Sequence, residues 1–232
     1  MERRKSNVLY DFAGLFLPRR CSGCDQALMS FEHSICTDCV ADLPRLRGHD
    51  DPSNKVEQVF KGRVLLHAAS AFLQFSKGGM VQHMLHRLKY KGDMDLGLEL
   101  GRRMAEDAMD SPRFADVQVV FAVPLHRRKQ RQRGYNQSQV LVDGMREAWP
   151  LKCLDSQLLR VEHTSTQTRR GRLDRWSNVK EAFNFGDPEA LRDAHVLLVD
   201  DVVTTGATLE GCAKALGHVP GIRISVLACA CA

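Results

Sequence analysis

No apolar run in the 232 residues approaches the length of a membrane span, so no segment reads as a transmembrane helix. Nor is a secretory signal expected. Val8–Leu17 follows a basic start, but it carries Asp11 and runs into Pro18-Arg19-Arg20 instead of a small-residue cleavage site. It reads as an amphipathic packing helix of a cytoplasmic protein. Strong charge asymmetry is absent too: 33 Lys+Arg against 28 Asp+Glu give a formal +5, which matters only where it is clustered. Nor are the eight cysteines spread as a disulfide framework would spread them. Four fall within Cys21–Cys39, and Cys153, Cys212, Cys229 and Cys231 are scattered in apolar surroundings that suit buried free thiols. That pattern fits a reducing compartment.

What is present divides in two. The length suffices for one α/β domain plus a small appendage, placed here at 49–232 and 1–48. In the appendage, CSGC (Cys21, Cys24) and CTDC (Cys36, Cys39) form two Cys-x-x-Cys knuckles separated by 11 residues. Each knuckle brings two thiolates to one ion, and four sulfurs complete a tetrahedral Zn²⁺ shell. Two disulfides or a redox pair are the competing readings. The intervening segment is too short and polar for a core of its own, so metal would supply its folding energy. Four protein ligands leave no open position, which implies a structural site. His33 is expected at the surface. A polar stretch, Leu46–Asn54, reads as the linker.

The main domain is organised around His195–Thr208, HVLLVDDVVTTGAT. Val196–Val199 is a continuous apolar run of the kind that fills a parallel strand buried on both faces. It leads into Asp200 and Asp201, then the turn Thr204-Thr205-Gly206-Ala207-Thr208. A helix follows with Leu209, Cys212, Ala213 and Leu216 at helical spacing and Gly217 as its stop. Ligands of open α/β sheets sit at such strand ends. A helix N-terminus with a close-approach glycine holds phosphate, while paired carboxylates would accept hydrogen bonds from vicinal hydroxyls. A sugar phosphate satisfies both halves; an ordinary corner with solvated aspartates is the alternative.

Other segments take supporting places. Arg63–Phe75 has strand character, as a single strand or a hairpin. Met80, Met84, Leu85 and Leu88 mark a short amphipathic helix ending in Arg87, Lys89 and Lys91, and Leu96, Leu100, Met104 and Ala108 mark another over Asp95–Met109. His83 and His86 fall on the solvated side. Val117–Leu125 is a second buried strand, running into HRRKQRQRGYNQS, in which Arg127, Arg128, Lys129, Arg131 and Arg133 are basic. At a strand's carboxyl end this loop suits a pyrophosphate or a nucleic-acid backbone, with Tyr135 available to stack on a base. Gln137–Trp149 is the next helix. Arg160–Phe185 lacks hydrophobic periodicity and carries Arg160, Arg169, Arg170 and Lys180, as a lid over a polyanion would, with Trp176 as its anchor. Ile222–Ala230 closes the sheet.

VLLVDDVVTTGAT resembles the phosphoribosyl-pyrophosphate (PRPP) signature of type I phosphoribosyltransferases. Together with the paired knuckles, LKYKGD, VPLHRRKQRQRGYNQS and TQTRRGRLDRWSNVKEAF, the chain is similar to the ComF/GntX group of phosphoribosyltransferase-like proteins. The resemblance implies a type I phosphoribosyltransferase-like parallel sheet flanked by helices, with a small four-cysteine zinc module at its N-terminal side. It implies that Asp200 and Asp201 hold ribose hydroxyls and that Thr204–Thr208 holds the 5′-phosphate. Val123–Ser138 takes the place of the pyrophosphate loop, here with a basic insertion. Arg160–Phe183 takes that of the catalytic loop, with Arg170 and Lys180 stabilising a pyrophosphate that leaves with Mg²⁺. Single-stranded DNA and proteins of the DNA-uptake machinery are the further partners implied, either for an enzyme or for a non-catalytic DNA-binding accessory protein whose PRPP site is a sensor or relic. No residue set in the sequence selects an acceptor.

Overall fold

The structure, a computed structural model, describes residues 19–153, 159–160, 183–184 and 188–232. The N-terminal helix expected at Val8–Leu17, most of the expected lid and the side chains of Arg160, Arg169, Arg170, Trp176 and Lys180 lie outside the described residues.

Five parallel strands make the main sheet in the order β1-β7-β6-β2-β3: β1 (Ala68–Gln74), β2 (Val119–Ala122), β3 (Lys152–Cys153), β6 (His195–Val203) and β7 (Arg223–Cys231). Between β3 and β6 in sequence, β4 (Leu159–Arg160) and β5 (Phe183–Asn184) form a separate antiparallel pair. On β6, Leu197 and Val199 enter one hydrophobic core while Val196 and Leu198 enter the other. The period-2 alternation of a strand thus feeds two apolar layers, which is why this run shows no polar positions. The strand character expected at Arg63–Phe75 is a single strand, β1, paired in parallel with β7, and not a hairpin.

One face carries α3 (Met80–Tyr90), α4 (Met94–Ala108) and α6 (Gln137–Ala148); the other is covered by α2 (Lys55–Phe60) and α7 (Ala207–Leu216). Leu96, Leu100, Met104 and Ala108 are all fully buried, as their fourfold spacing requires. A Cβ on Gly101 would lie 2.1 Å from the Leu141 carbonyl oxygen, and one on Gly144 equally close to that of Leu98. Two glycines therefore let α4 and α6 meet backbone to backbone. Helix α7 ends at Leu216 as expected, but Gly217 has φ −62°, so its stop is not left-handed.

The cysteine knuckles and the short helix α1 (Thr37–Ala41) build onto this first face. Cys21, Ile35, Cys36, Cys39 and Leu43 belong to the same core as α3 and α4. Buried Glu99 accepts from the backbone N–H groups of Ser34 (2.8 Å) and Ile35 (3.2 Å). The stretch Leu46–Asn54 follows the sheet instead of hanging as a linker. Leu46 N–H donates to Phe72 O, and the Asn54 amide donates to Gly48 O and Ala69 O while its oxygen caps α2. No described helix is long and apolar enough to cross a membrane.

Candidate functional site

Strand β6 continues through the acid pair to Val203, so Asp200 and Asp201 sit near its end at the carboxyl edge of the sheet. Asp200 Oδ1 accepts from Ser138 Oγ (3.0 Å) and from the Asp201 backbone N–H (2.8 Å). Asp201 Oδ2 faces Lys89 Nζ at 2.9 Å. Burial and the neighbouring Asp201 charge push the Asp200 carboxyl up to about 7. Among the described residues Asp201 is salt-bridged to Lys89, whereas Asp200 has no ion-pair partner of its own.

The turn that follows is set from behind. Gly206 has φ +70°, and a Cβ there would meet the Phe60 ring at 2.7 Å. Glycine is therefore required twice, for its left-handed backbone and for contact with α2. Arg63 donates to Val59 O (2.9 Å) and Thr205 O (2.6 Å) and pairs with Glu210, which ties the turn to α2 and α7. Thr204, Thr205 and Ala207 are exposed, Gly206 is buried and Thr208 is partly buried at the start of α7.

The basic segment expected as a loop is a helix, α5 (Arg127–Arg133), stopped by left-handed Gly134. His126 Nδ1 caps it by accepting from Arg128 N–H, and Asn136 clips its far end to β2 by donating to Val123 O at 3.0 Å. Helical periodicity divides the cations. Lys129 and Arg133, one turn apart, line a cavity of about 190 Å³ together with Lys89, Ser138, Asp200, Asp201 and Thr208. Arg127, Arg128 and Arg131 are not among its lining residues. Tyr135 is not presented to a base: it packs against the core and its hydroxyl donates to Leu88 O.

Lys89 and Ser138 are the site residues that sequence reasoning passed over. Both lie inside quoted motifs, LKYKGD and GYNQS, yet only the packing of α3 and α6 on the sheet aims them at the acid pair.

A second site is the cysteine cluster. The sulfurs of Cys21, Cys24, Cys36 and Cys39 lie within 4.8 Å of one another, so the cluster can hold a metal ion. Backbone N–H groups of Gly23 (3.3 Å) and Cys36 (3.2 Å) donate to Cys21 Sγ. Although burial opposes ionisation, these and neighbouring backbone N–H groups lower Cys21 to about 7. Cys39 is pushed the opposite way by burial and the adjacent sulfurs. Four thiolates this close need a cation, and the donor set suits a soft divalent one. His33 is exposed and not among the ligands.

The amino edge of the sheet gathers His67, Asp116 and His195. Here the ring nitrogens of buried His195 are taken by Asp116 Oδ1 (2.6 Å) and Ser225 Oγ (2.7 Å), and the second Asp116 oxygen by Arg223 (2.5 Å). Both His195 nitrogens and both Asp116 oxygens are thus satisfied within the cluster and by Ser225 and Arg223, which makes it a structural clasp.

No family model matches the chain. Over 200 residues it is 28% identical to competence protein F of Haemophilus influenzae, spanning 84% of this chain and 83% of that protein. It is 32% identical over 137 residues to DNA utilization protein YhgH of Salmonella typhimurium, spanning 57% of this chain and 59% of YhgH. A solved glutamine PRPP amidotransferase from B. subtilis aligns over 61% of this chain and 30% of its own, at 16% identity and a TM-score of 0.43. The chain is ComF-like over most of its length.

Proposed function

We propose that this ComF-like chain binds PRPP with Mg²⁺ at the carboxyl edge of β6 and acts as a phosphoribosyltransferase-like protein linked to DNA uptake. The observation that carries the reading is that an acid pair and Thr208, in the first turn of α7, share one small cavity with Lys89, Lys129 and Arg133. Asp200 and Asp201 accept from the ribose hydroxyls. The turn Thr204-Thr205-Gly206-Ala207-Thr208 donates hydroxyl and backbone N–H groups to the 5′-phosphate at the positive end of the α7 dipole. Lys129 and Arg133 face the pyrophosphate. In the transfer reaction the C1–pyrophosphate bond breaks as a nitrogen nucleophile bonds to C1, and Arg170 and Lys180 supply further positive charge to the leaving group. Mg²⁺ bound together with PRPP would neutralise part of that charge.

The zinc reading extends the cysteine cluster: Zn²⁺ held by Cys21, Cys24, Cys36 and Cys39 fixes residues 1–48 as a structural module on the 49–232 domain in a cytoplasmic protein. Metal analysis of protein purified without chelator is expected to give about one Zn²⁺ per chain, lost in Cys36→Ser.

A second reading is favoured by the split of α5. Arg127, Arg128 and Arg131 stand off the cavity, where they suit a single-stranded DNA backbone. The names of the relatives, competence protein F and DNA utilization protein, support the same link. Proteins of the DNA-uptake machinery are its natural companions.

Calorimetric titration with PRPP–Mg²⁺ tests the ligand. Tight binding is expected, with a loss of about 100-fold or more in the double variant Asp200→Asn, Asp201→Asn at unchanged circular dichroism. A screen of nucleobases and amines for pyrophosphate release tests the reaction. Release with none of them retires the enzyme reading and leaves the binding reading standing.

A further inference from the structure

We propose that Lys89 makes the site select ligands carrying pyrophosphate at C1 over simple ribose phosphates, because its ammonium must leave Asp201 before a ribose can bind there. The inference rests on the PRPP reading of the cavity and assigns a specificity-determining residue within it.

Lys89 is aimed from both sides. Its predecessor, Leu88, gives its carbonyl to the Tyr135 hydroxyl, and its successor, Tyr90, lies under the Arg133 guanidinium at 5.4 Å. The end of α3 is thereby fixed to the junction of α5 and α6, and the Lys89 stem crosses a partly buried gap to reach Asp201 at 2.9 Å. Lysine and carboxylate side chains are 20% and 14% exposed, so water screens the pair weakly. Asp200 cannot serve as the alternative partner on its Oδ1 side, where Ser138 and the Asp201 N–H already donate.

Exchange chemistry follows from this arrangement. A ribose diol offers only neutral donors to Asp201. Displacing an ammonium for a hydroxyl replaces a charge-assisted bond by a weaker one and leaves Lys89 without a counter-charge. Ribose 5-phosphate does not compensate, because its phosphate belongs at the α7 turn. A pyrophosphate at C1 does compensate: it brings anionic oxygens into the same cavity, which Lys89 shares with Lys129 and Arg133. The ammonium then moves from one anion to another. Lys89 opposes the common part of both ligands and favours only the part that PRPP alone carries.

The test is a pair of titrations, PRPP–Mg²⁺ and ribose 5-phosphate, on wild type, Lys89→Met and Lys89→Arg. Methionine keeps the apolar stem and removes the charge. Lys89→Met is expected to weaken PRPP binding by about tenfold or more while leaving ribose 5-phosphate unchanged or tighter, so the preference for PRPP falls by at least about that factor. Lys89→Arg is expected to retain the preference. Equal changes for both ligands, or no change for PRPP, overturn the proposal, provided that the melting profile of Lys89→Met matches wild type. A shifted profile moves the decision to Lys89→Arg, in which a lost preference with native melting overturns it. If wild type binds neither ligand, the PRPP reading itself falls and takes this inference with it. Wild-type PRPP binding with an unaltered ratio in Lys89→Met removes this inference alone.

Discussion

The two ends of β6 carry ionisable side chains of opposite fate. At the amino end, His195 is enclosed between Asp116 and Ser225, with Arg223 on the far oxygen of Asp116. At the carboxyl end, Asp200 and Asp201 stand side by side and the described chain supplies one directly paired cation, Lys89. Five residues of extended chain, about 16 Å, separate them. The amino end is electrostatically closed and serves the fold. The carboxyl end leaves Asp200 without a salt-bridge partner among the described residues, beside a cavity and a helix N-terminus, so the ligand is expected there. Proximity of titratable groups does not by itself mark a site; incomplete neutralisation does.

This contrast can be broken by experiment. The largest stability effect is expected from His195→Ala, which removes a buried ring and leaves Asp116 and Ser225 short of a partner. A cost of roughly 2–4 kcal/mol in urea unfolding is expected, with PRPP affinity unchanged. A matching loss of affinity would mean that the two ends are coupled.

A smaller effect, of opposite sign, is expected at the carboxyl end. Because the Asp200 carboxyl is raised to about 7, the folded state holds a proton that the unfolded chain releases in the ordinary carboxylate range. Its stabilising contribution is complete below the unfolded value and disappears as pH rises through about 7. Thermal melts between about pH 5 and pH 8 should therefore show wild type losing more stability than Asp200→Asn, which has no such proton. Parallel pH profiles would contradict an uncompensated acid pair.

The smallest change concerns the outer face of α5. Alanine at Arg127, Arg128 and Arg131 should lower single-stranded DNA affinity and reduce the salt slope by about two, while PRPP binding stays as in wild type. An unchanged slope removes that face from the DNA site.

Much of the carboxyl end was legible beforehand because it is local. An apolar run, two acids and a Thr/Gly turn are contiguous, and contiguous residues bring their own geometry. The four-cysteine cluster was legible for the same reason, since knuckle spacing dictates how sulfurs converge. The helical state of Arg127–Arg133 was masked by its charge: a run with one kind of side chain shows no hydrophobic period, although Gly134 marked its end. The clasp of His67, Asp116 and His195 was illegible because its members come from three separate strand starts.

By itself, the amino-acid sequence determined the parallel-strand character of β6, the acid pair and turn at its end, and the four sulfurs, because each depends on neighbours along the chain. Tertiary structure alone decided which cations meet the acids. It turned Lys129 and Arg133 into the cavity, left Arg127, Arg128 and Arg131 outside, and brought Lys89 across from α3. The glycine contacts of Gly101 and Gly144 show the reason: which side chains converge depends on how closely helices approach one another and the sheet, and that distance is a property of packing.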